Sequence, residues 1–429
     1  MLQSLYDLVD MFWIGRISPA AVAGVTLFSA FMAVFLVIND IIGISSISLI
    51  SQNYGKGDLK ATTVAVEQTI SFKVVIAIIS SIILLIFLTP LLQFFSSDHN
   101  VIQAGKDYGI IRLLFLPFFF ASYSVNTSLR NIGDPKMPMY FMVGSAIANM
   151  VLDPILMFDT VPILGIPGFG MGIKGAAVAT VISTIIAFTW GLYLLFSNRY
   201  SIKISWKGLF TMVPKVDKLL ITIGLPTGMD GILRSLASFI IIKLVATYGT
   251  SAITVAGIGS RFLGLALTMS FGLEVGAASL VGKFLGENSI EESKKTVKLT
   301  VLYTTLIGAL ISLLFFIKPE MLMKLLIEDL DVIALGKTML QIMAPGIFVF
   351  CSAIGMFSAF SGSGYNKPFI YICIISSWLV EVPYFFVVVK LLHLPINFMW
   401  IGYSLGSITY ALVTYYYYRR GEWIYNRVI

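Results

Sequence analysis

The residues with the clearest chemical potential are polar side chains inside long apolar stretches. Asn149 and Asp153 are four residues apart, so a helix places them on one face, one turn apart. A carboxylate and an amide oxygen together can coordinate a hard cation such as Na⁺, and the carboxylate alone could carry a proton. Pro154 follows and lacks a backbone N–H, which frees a carbonyl oxygen nearby. The pattern predicts an ion or proton site, with plain interhelical hydrogen bonding as the structural alternative.

Further acids lie in other apolar segments, where a charged residue costs about 2.5–3.5 kcal/mol on insertion scales. Asp10 could share the ion chemistry, or it could be a helix-end acid near the membrane interface. Asp40 could be functional, or it could mark a hinge in a long helix. The remaining acids are interpreted first as paired structural charges, with Arg234 as one partner: Asp230, Glu274 and Glu381.

The elements that position these residues follow from composition. The chain has 429 residues, of which 58% are hydrophobic and 12% charged, with a mean hydropathy of +0.91. Soluble domains carry about 25% charged residues, so this chain is predicted to lie in a lipid bilayer as an all-α integral membrane protein. We predict twelve membrane spans: 2–17, 21–50, 62–88, 102–128, 137–158, 173–196, 219–247, 252–282, 297–317, 334–360, 368–391 and 396–418.

Loop charges predict the topology. About 17 Lys and Arg residues lie in the even-numbered loops and the C-terminal tail, against roughly seven in the odd-numbered loops. Basic loops favour the cytoplasm, so the C-terminus should be cytoplasmic. The predicted organisation is an N-terminal six-helix lobe (1–197), a cytoplasmic linker (198–218), a C-terminal six-helix lobe (219–418) and a basic cytoplasmic tail (419–429).

The two halves are related by an internal repeat. Residues 22–24 recur at 255–257, and residues 48–55 recur at 279–286. Two further matches keep nearly the same offset of 231 to 233 residues. Six spans return the chain to its starting side, so the repeats should be pseudo-symmetric about an axis along the membrane normal, with a cavity between them.

Several function classes are disfavoured. The two cysteines and two histidines offer little for a disulfide framework, a metal cluster or a catalytic triad, so an enzyme is not expected. No phosphate-binding loop is present, so ATP-driven transport by this chain alone is disfavoured. The net charge of +7 lies in short loops, which argues for topology and against nucleic-acid binding. Buried acids in a repeat suit alternating access better than a continuous channel.

The motifs at 5–10, 14–16, 52–55, 130–135 and 149–153 together resemble the multidrug and toxic compound extrusion (MATE) family, in its prokaryotic DinF-like branch. The resemblance covers essentially the whole chain. It implies a V-shaped pair of lobes that exports organic cations or drugs by antiport against Na⁺ or H⁺. Family members usually carry a further N-terminal segment, so we expect the first helix to be truncated here.

The resemblance also implies roles for single residues. The ion-coupling set that it implies is Asp10, Asn149, Asp153 and Thr180, of which the first three could ligate Na⁺. The residues that we expect near the substrate cavity are Tyr6, Asp40 and Glu274. Asp40 is not part of the family pattern, so its effect on coupling stays open.

One alternative stays within transport. Related two-lobe proteins flip lipid-linked precursors, and they should line the cavity with many basic residues. Few intramembrane cations are present here, so this function ranks lower. We expect no cofactor besides the coupling ion, a small organic cation as substrate, and a monomer in the plasma (inner) membrane of a prokaryote. The substrate and the choice between Na⁺ and H⁺ stay open.

Overall fold

The computed structural model describes residues 2–162, 165–197 and 199–428, except for the side chains of 2–8, 265 and 266. Within these residues the fold is helical, with one isolated bridge between Thr160 and Pro167 and no strand. The predicted all-α fold is therefore confirmed.

The helices of the first half are α1 (Leu2–Gly15), α2 (Pro19–Lys56), α3 (Leu59–Phe95), α4 (His99–Leu114), α5 (Leu116–Asn131), α6 (Lys136–Met157) and α7 (Ile173–Phe196). Those that follow are α8 (Trp206–Leu209), α9 (Pro214–Val245), α10 (Thr250–Gly286), α11 (Ile290–Ile317), α12 (Pro319–Lys324), α13 (Leu330–Ser363), α14 (Lys367–Cys373), α15 (Val382–Phe386), α16 (Ile396–Arg420) and α17 (Glu422–Tyr425). Helix α15 lies between two π-helical stretches, Ile374–Glu381 and Val387–Leu391, which continue α14 as one span.

Helix ends follow local chemistry. The side chains of Asp58, Asp98 and Asp329 accept hydrogen bonds from backbone N–H groups at the starts of α3, α4 and α13. Helices α13 and α16 end at Gly364 and Gly421, both in the left-handed conformation that glycine adopts without a steric penalty. These caps satisfy backbone groups that a helix end leaves without partners.

Eleven of the twelve predicted spans each overlap one helical segment, and the fourth overlaps two. Nine helices of the described chain are long and apolar enough to cross a bilayer, and the bent pair α4 and α5 makes ten if it is one span. The short α1, with 14 residues, and α9 are not in that set.

The fourth predicted span differs from the structure. Instead of one continuous helix over 102–128, the chain bends by 53° between α4 and α5. The break falls at Phe115, and Pro117 lies in the first turn of α5. Proline lacks the N–H that an uninterrupted helix would need and disfavours helical geometry in the residue before it.

The chain divides into two compact units. Unit 1 contains Met1–Ser46 and Gly57–Ile221, and unit 2 contains Ile47–Lys56 and Thr222–Ile429. Helix α2 therefore begins in unit 1 and contributes its last residues to unit 2.

Two pairs of helices in unit 1 meet at small residues. A Cβ atom added at Gly24 of α2 would lie 2.6 Å from the backbone nitrogen of Gly105 in α4. One at Gly175 of α7 would lie 2.6 Å from the backbone of Leu156 in α6. Because such a distance is far below van der Waals contact, only glycine permits these backbones to approach so closely.

In unit 2, the end of α2 packs reciprocally against the end of α10. A Cβ atom at Gly55 would lie 2.0 Å from the carbonyl oxygen of Lys283, and one at Gly286 would lie 2.1 Å from that of Gln52. Gly55 and Gly286 are 231 residues apart, as are Gln52 and Lys283. The sequence repeat thus corresponds here to a symmetric contact, in which each copy presents a glycine to the other copy's carbonyl oxygen.

Candidate functional site

The carboxyl groups of Asp10 and Asp153 meet between α1 and α6. The two side chains are 6% and 0% exposed, and they lie within reach of a shared hydrogen bond if one carboxyl carries a proton. The rings of Trp13 and Phe158, 5.9 Å apart and edge-on, hold α1 against the end of α6. Sequence reasoning singled out both acids, and the structure brings them together.

Asn149 and Asp153 lie on one face of α6, as their spacing predicts. Nδ2 of Asn149 donates to Oδ1 of Asp153 at 3.1 Å. Oδ1 of Asn149 and Oδ2 of Asp153 are buried, and within the described residues neither accepts a hydrogen bond. Buried acceptors are nearly always satisfied in folded proteins, so these two oxygens beside a second carboxyl group have the acceptor capacity to hold a proton or a cation.

The segment after α6 holds the last turn of that helix in place. Three backbone N–H groups of residues 165–172 donate to the carbonyl oxygens of residues 155–157, each at 2.9 Å. A Cβ atom at Gly168 would lie 2.2 Å from the carbonyl oxygen of Phe158, so this close return requires glycine. Pro154 lacks the N–H that would pair with the carbonyl of Met150. The helix end next to Asp153 is therefore fixed by tertiary hydrogen bonds.

Tyr108 of α4 also contacts Asp10. Its hydroxyl donates to Oδ2 of Asp10 at 3.3 Å, and its ring packs edge-on against Phe28 of α2 at 5.6 Å. The sequence analysis did not single out this tyrosine, because its contact depends on how α4 packs against α1.

Thr180 is buried in α7, 2% exposed, and its hydroxyl donates to the carbonyl oxygen of Ala176 at 3.0 Å. The hydroxyl oxygen keeps acceptor capacity, and α7 packs on α6. The described contacts of Thr180 are thus with its own helix, and its part in an ion site stays a prediction.

Asp40 lies in a different part of unit 1, beside a buried lysine. Lys73 of α3 is 0% exposed, and its Nζ donates to Oδ1 of Asn39 at 2.9 Å and lies 4.4 Å from the ring centre of Tyr123. Asp40 itself is exposed, and Nδ2 of Asn39 donates to its carboxylate at 3.4 Å. The sequence analysis missed Lys73, although a single lysine in an apolar run signals a stabilised intramembrane charge.

The other residues expected near a substrate cavity are Glu274 and Tyr6. Glu274 is buried in α10, 6% exposed, and so belongs to unit 2. The side chain of Tyr6 lies outside the described residues. Within the described residues, no group of three or more His, Cys, Asp or Glu side chains could hold a metal ion.

The apolar helices and the buried carboxyl site are those of a helical membrane transporter. The family model described as MatE matches residues 1–155 and 226–387, and the chain therefore belongs to this family.

Similar proteins and solved structures support the assignment to this family. The chain is 28% identical over 427 residues to the probable multidrug resistance protein YoeA of Bacillus subtilis (strain 168), covering 98% of this chain and 90% of the relative. It is 25% identical over 431 residues to the probable multidrug resistance protein NorM of Thermotoga maritima, covering 99% and 90%. A crystal structure of MATE in the bent conformation matches with a TM-score of 0.88 at 20% identity, covering 98% of this chain and 91% of that one.

Proposed function

We propose that this protein exports organic cations or drugs by antiport against Na⁺ or H⁺. Two relatives that match nearly the whole chain are described as probable multidrug resistance proteins, which supports the substrate class. We further propose that Asp10, Asn149 and Asp153 hold the coupling ion, with Thr180 as an additional oxygen ligand. The protein would act as a monomer in the plasma membrane of a prokaryote, with its C-terminus in the cytoplasm.

The observation that carries this proposal is the meeting of two carboxyl groups beside acceptor oxygens that lack donors. Asp10 and Asp153 lie together in a buried site, and Oδ1 of Asn149 adds an uncharged oxygen. Two carboxylates in a low-dielectric site repel each other, and a proton or Na⁺ between them removes that repulsion. The site therefore favours ion binding without needing a metal cluster.

Coupling follows from where the two acids are attached. Asp10 lies on α1 and Asp153 on α6, so an ion bound to both draws these helices together. An ion can drive transport only if it binds one conformation of the protein more tightly than another. Ion binding from outside would favour the conformation that releases substrate outward, and ion release into the cell would restore the conformation that binds substrate.

Transport in proteoliposomes tests the proposal. A fluorescent organic cation is followed under an imposed Na⁺ gradient and, separately, under a pH gradient, for the parent chain, Asp153→Asn and Asp331→Asn. Asn at 153 can still accept the hydrogen bond from Asn149, so the variant should fold. We expect it to lose at least about tenfold of the gradient-driven rate, or roughly 1.4 kcal/mol of coupling.

The experiment includes a control variant, and two outcomes would contradict the proposal. Asp331 is an exposed acid in the first turn of α13, so Asp331→Asn should transport like the parent. Gradient-driven transport by Asp153→Asn at the parental rate would contradict the coupling site. Transport of the cation under neither gradient would contradict the antiport mechanism itself.

A further inference from the structure

A second polar site lies in unit 2. A cavity of about 380 Å³ is lined by α9, α10, α13, the π-helical stretch Ile374–Glu381 and α16. Small-molecule sites usually have volumes of about 300–1,000 Å³, so the cavity can hold a ligand of that class. All of its lining residues belong to unit 2, whereas the Asp10 and Asp153 site belongs to unit 1.

Three charged groups at the cavity sum to one negative charge, since Arg234 and Glu381 line it and Asp230 lies beside Arg234. Nη2 of Arg234 lies 2.9 Å from the carboxylate of Asp230 and donates to the hydroxyl of Tyr410 at 2.8 Å, so this arginine and aspartate neutralise each other. Glu381 also lines the cavity, but within the described chain no Lys or Arg nitrogen lies within 4.0 Å of its carboxylate. The interpretation of Asp230 as a paired charge is confirmed, whereas Arg234 acts on Glu381 only from beyond ion-pair distance.

Two local structural features place Glu381 at the cavity. Glu381 ends the π-helical stretch Ile374–Glu381, whose wider turn changes which side chains face the interior and is frequent at functional sites. Its side chain packs on Gly406 of α16, where a Cβ atom would lie 2.8 Å from Cδ of the glutamate. The hydroxyl of Ser377 lies within hydrogen-bonding reach of the carboxyl group.

The remaining lining suits a large apolar cation. Tyr403, Tyr410 and Phe350 present aromatic rings, and Met339 and Met343 add flexible apolar side chains. Aromatic faces attract cations through their quadrupoles, and methionine adapts to ligands of different shape. A carboxylate that forms no ion pair within 4.0 Å in the described chain, beside an arginine already paired with Asp230, then selects for positive charge among ligands of similar size.

We propose that this cavity binds lipophilic organic monocations, with Glu381 as their counter-ion. This inference rests on the export function proposed above, since it names the site at which the exported cation is held. It assigns the coupling ion and the cationic substrate to different binding sites, the ion to residues of unit 1 and the substrate to residues of unit 2.

Equilibrium binding of two matched ions tests this inference. Tetraphenylphosphonium and tetraphenylborate have nearly the same shape and opposite charge, and each is measured by equilibrium dialysis against the purified full chain in detergent, with detergent alone subtracted. We expect the parent to prefer the phosphonium. Glu381→Gln should weaken phosphonium binding by roughly tenfold to a hundredfold and bring the two ions close to equal affinity, whereas Glu381→Asp should retain part of the preference.

Two further variants make the result interpretable. Glu287 is a surface acid 3.7 Å from Lys283, so Glu287→Gln is the matched control and should bind like the parent. Gly257 lines the cavity, and a Cβ atom there would meet nothing within 4 Å, so Gly257→Leu can occupy the space without a backbone clash. It should weaken the binding of both ions, and it tests the site even if Glu381→Gln folds poorly.

The outcomes separate this inference from the transport mechanism. Parental phosphonium binding by Glu381→Gln, or by Gly257→Leu, overturns the proposed site, and so does equal binding of the two ions by the parent. Asp153→Asn should change the absolute affinity only through its coupling to ion binding, and it should still prefer the phosphonium to the borate because Glu381 is intact. Failure of gradient-driven transport together with Glu381-dependent binding would refute the antiport function and leave the binding site standing.

Discussion

Replacing Gly286 by alanine tests the reciprocal contact between α2 and α10. The added Cβ would lie 2.1 Å from the carbonyl oxygen of Gln52 and 3.0 Å from the backbone nitrogen of Lys56. Close C···O contacts in proteins are about 3.3 Å, so the two helix backbones would have to separate by roughly 1 Å. Neither obstacle is a flexible side chain, so the strain cannot be relieved by a rotamer change.

The size of the effect follows from two opposing contributions. Overpacking a tight interface costs about 1–3 kcal/mol, and the rigid backbone obstacles here place the cost in the upper part of that range, about 2–3 kcal/mol. Alanine recovers roughly 1 kcal/mol relative to glycine within a helix. We therefore expect a net loss of about 1–2 kcal/mol. For a unit of some 200 residues, that corresponds to a fall in Tm of roughly 2–8 °C.

Thermal unfolding in detergent, recorded at one fixed heating rate, measures this change as an apparent Tm. Gly276→Ala is the matched control, because it lies on the same helix and a Cβ atom there would meet nothing within 4 Å. The control should keep or slightly raise the apparent Tm. If Gly286→Ala unfolds at the same temperature as Gly276→Ala, the close approach of the two backbones is refuted.

Two more substitutions test single contacts. Tyr108→Phe removes a hydrogen-bond donor to Asp10 but keeps the aromatic ring. Because that hydrogen bond favours the ion-free carboxylate, the ion concentration for half-maximal transport should fall by about twofold to tenfold. An unchanged ion concentration would assign Tyr108 to packing alone. Gln52→Leu removes hydrogen bonds to two carbonyl oxygens at the end of α13 and to the N–H of Val428. The free energy of unfolding should therefore fall by about 1–3 kcal/mol, which a lower apparent Tm would report. The exposed Gln103→Leu should leave Tm nearly unchanged, and an equal fall in both variants would contradict this account.

Part of the candidate site was predictable from local spacing. Residues four apart share a helix face in any helix, so Asn149 and Asp153 could be paired before any tertiary structure was known. Asp10 was assigned to the same site only on the basis of the family resemblance, because nothing in its local sequence indicates that α1 packs on α6. Lys73 and the bend at Phe115 were missed, although a lysine in an apolar run and the proline two residues after the bend are visible signals.

The tail after α16 shows a limit of charge-based interpretation. Residues 419–429 were interpreted as a basic cytoplasmic tail, on the basis of their arginines. In the structure, Nδ2 of Asn426 donates to the carbonyl oxygen of Ser363 at 2.8 Å, and the N–H of Val428 donates to Oε1 of Gln52 at 3.2 Å. These contacts join segments that are distant in sequence, so composition could not indicate them.

By itself, the sequence determined the membrane class, the approximate limits of the long helices, and the repeat of 231 to 233 residues, because hydropathy and periodicity act over one helix at a time. Tertiary structure alone decided which polar and charged groups of different helices meet. Arg234 lies one turn from Asp230 on α9, but its hydrogen bond to Tyr410 of α16 and the position of Glu381 at the same cavity depend on helix packing. The physical reason is that partnership depends on distances between helices, and those distances are fixed by small residues such as Gly24, Gly175 and Gly406 that let particular backbones and side chains approach.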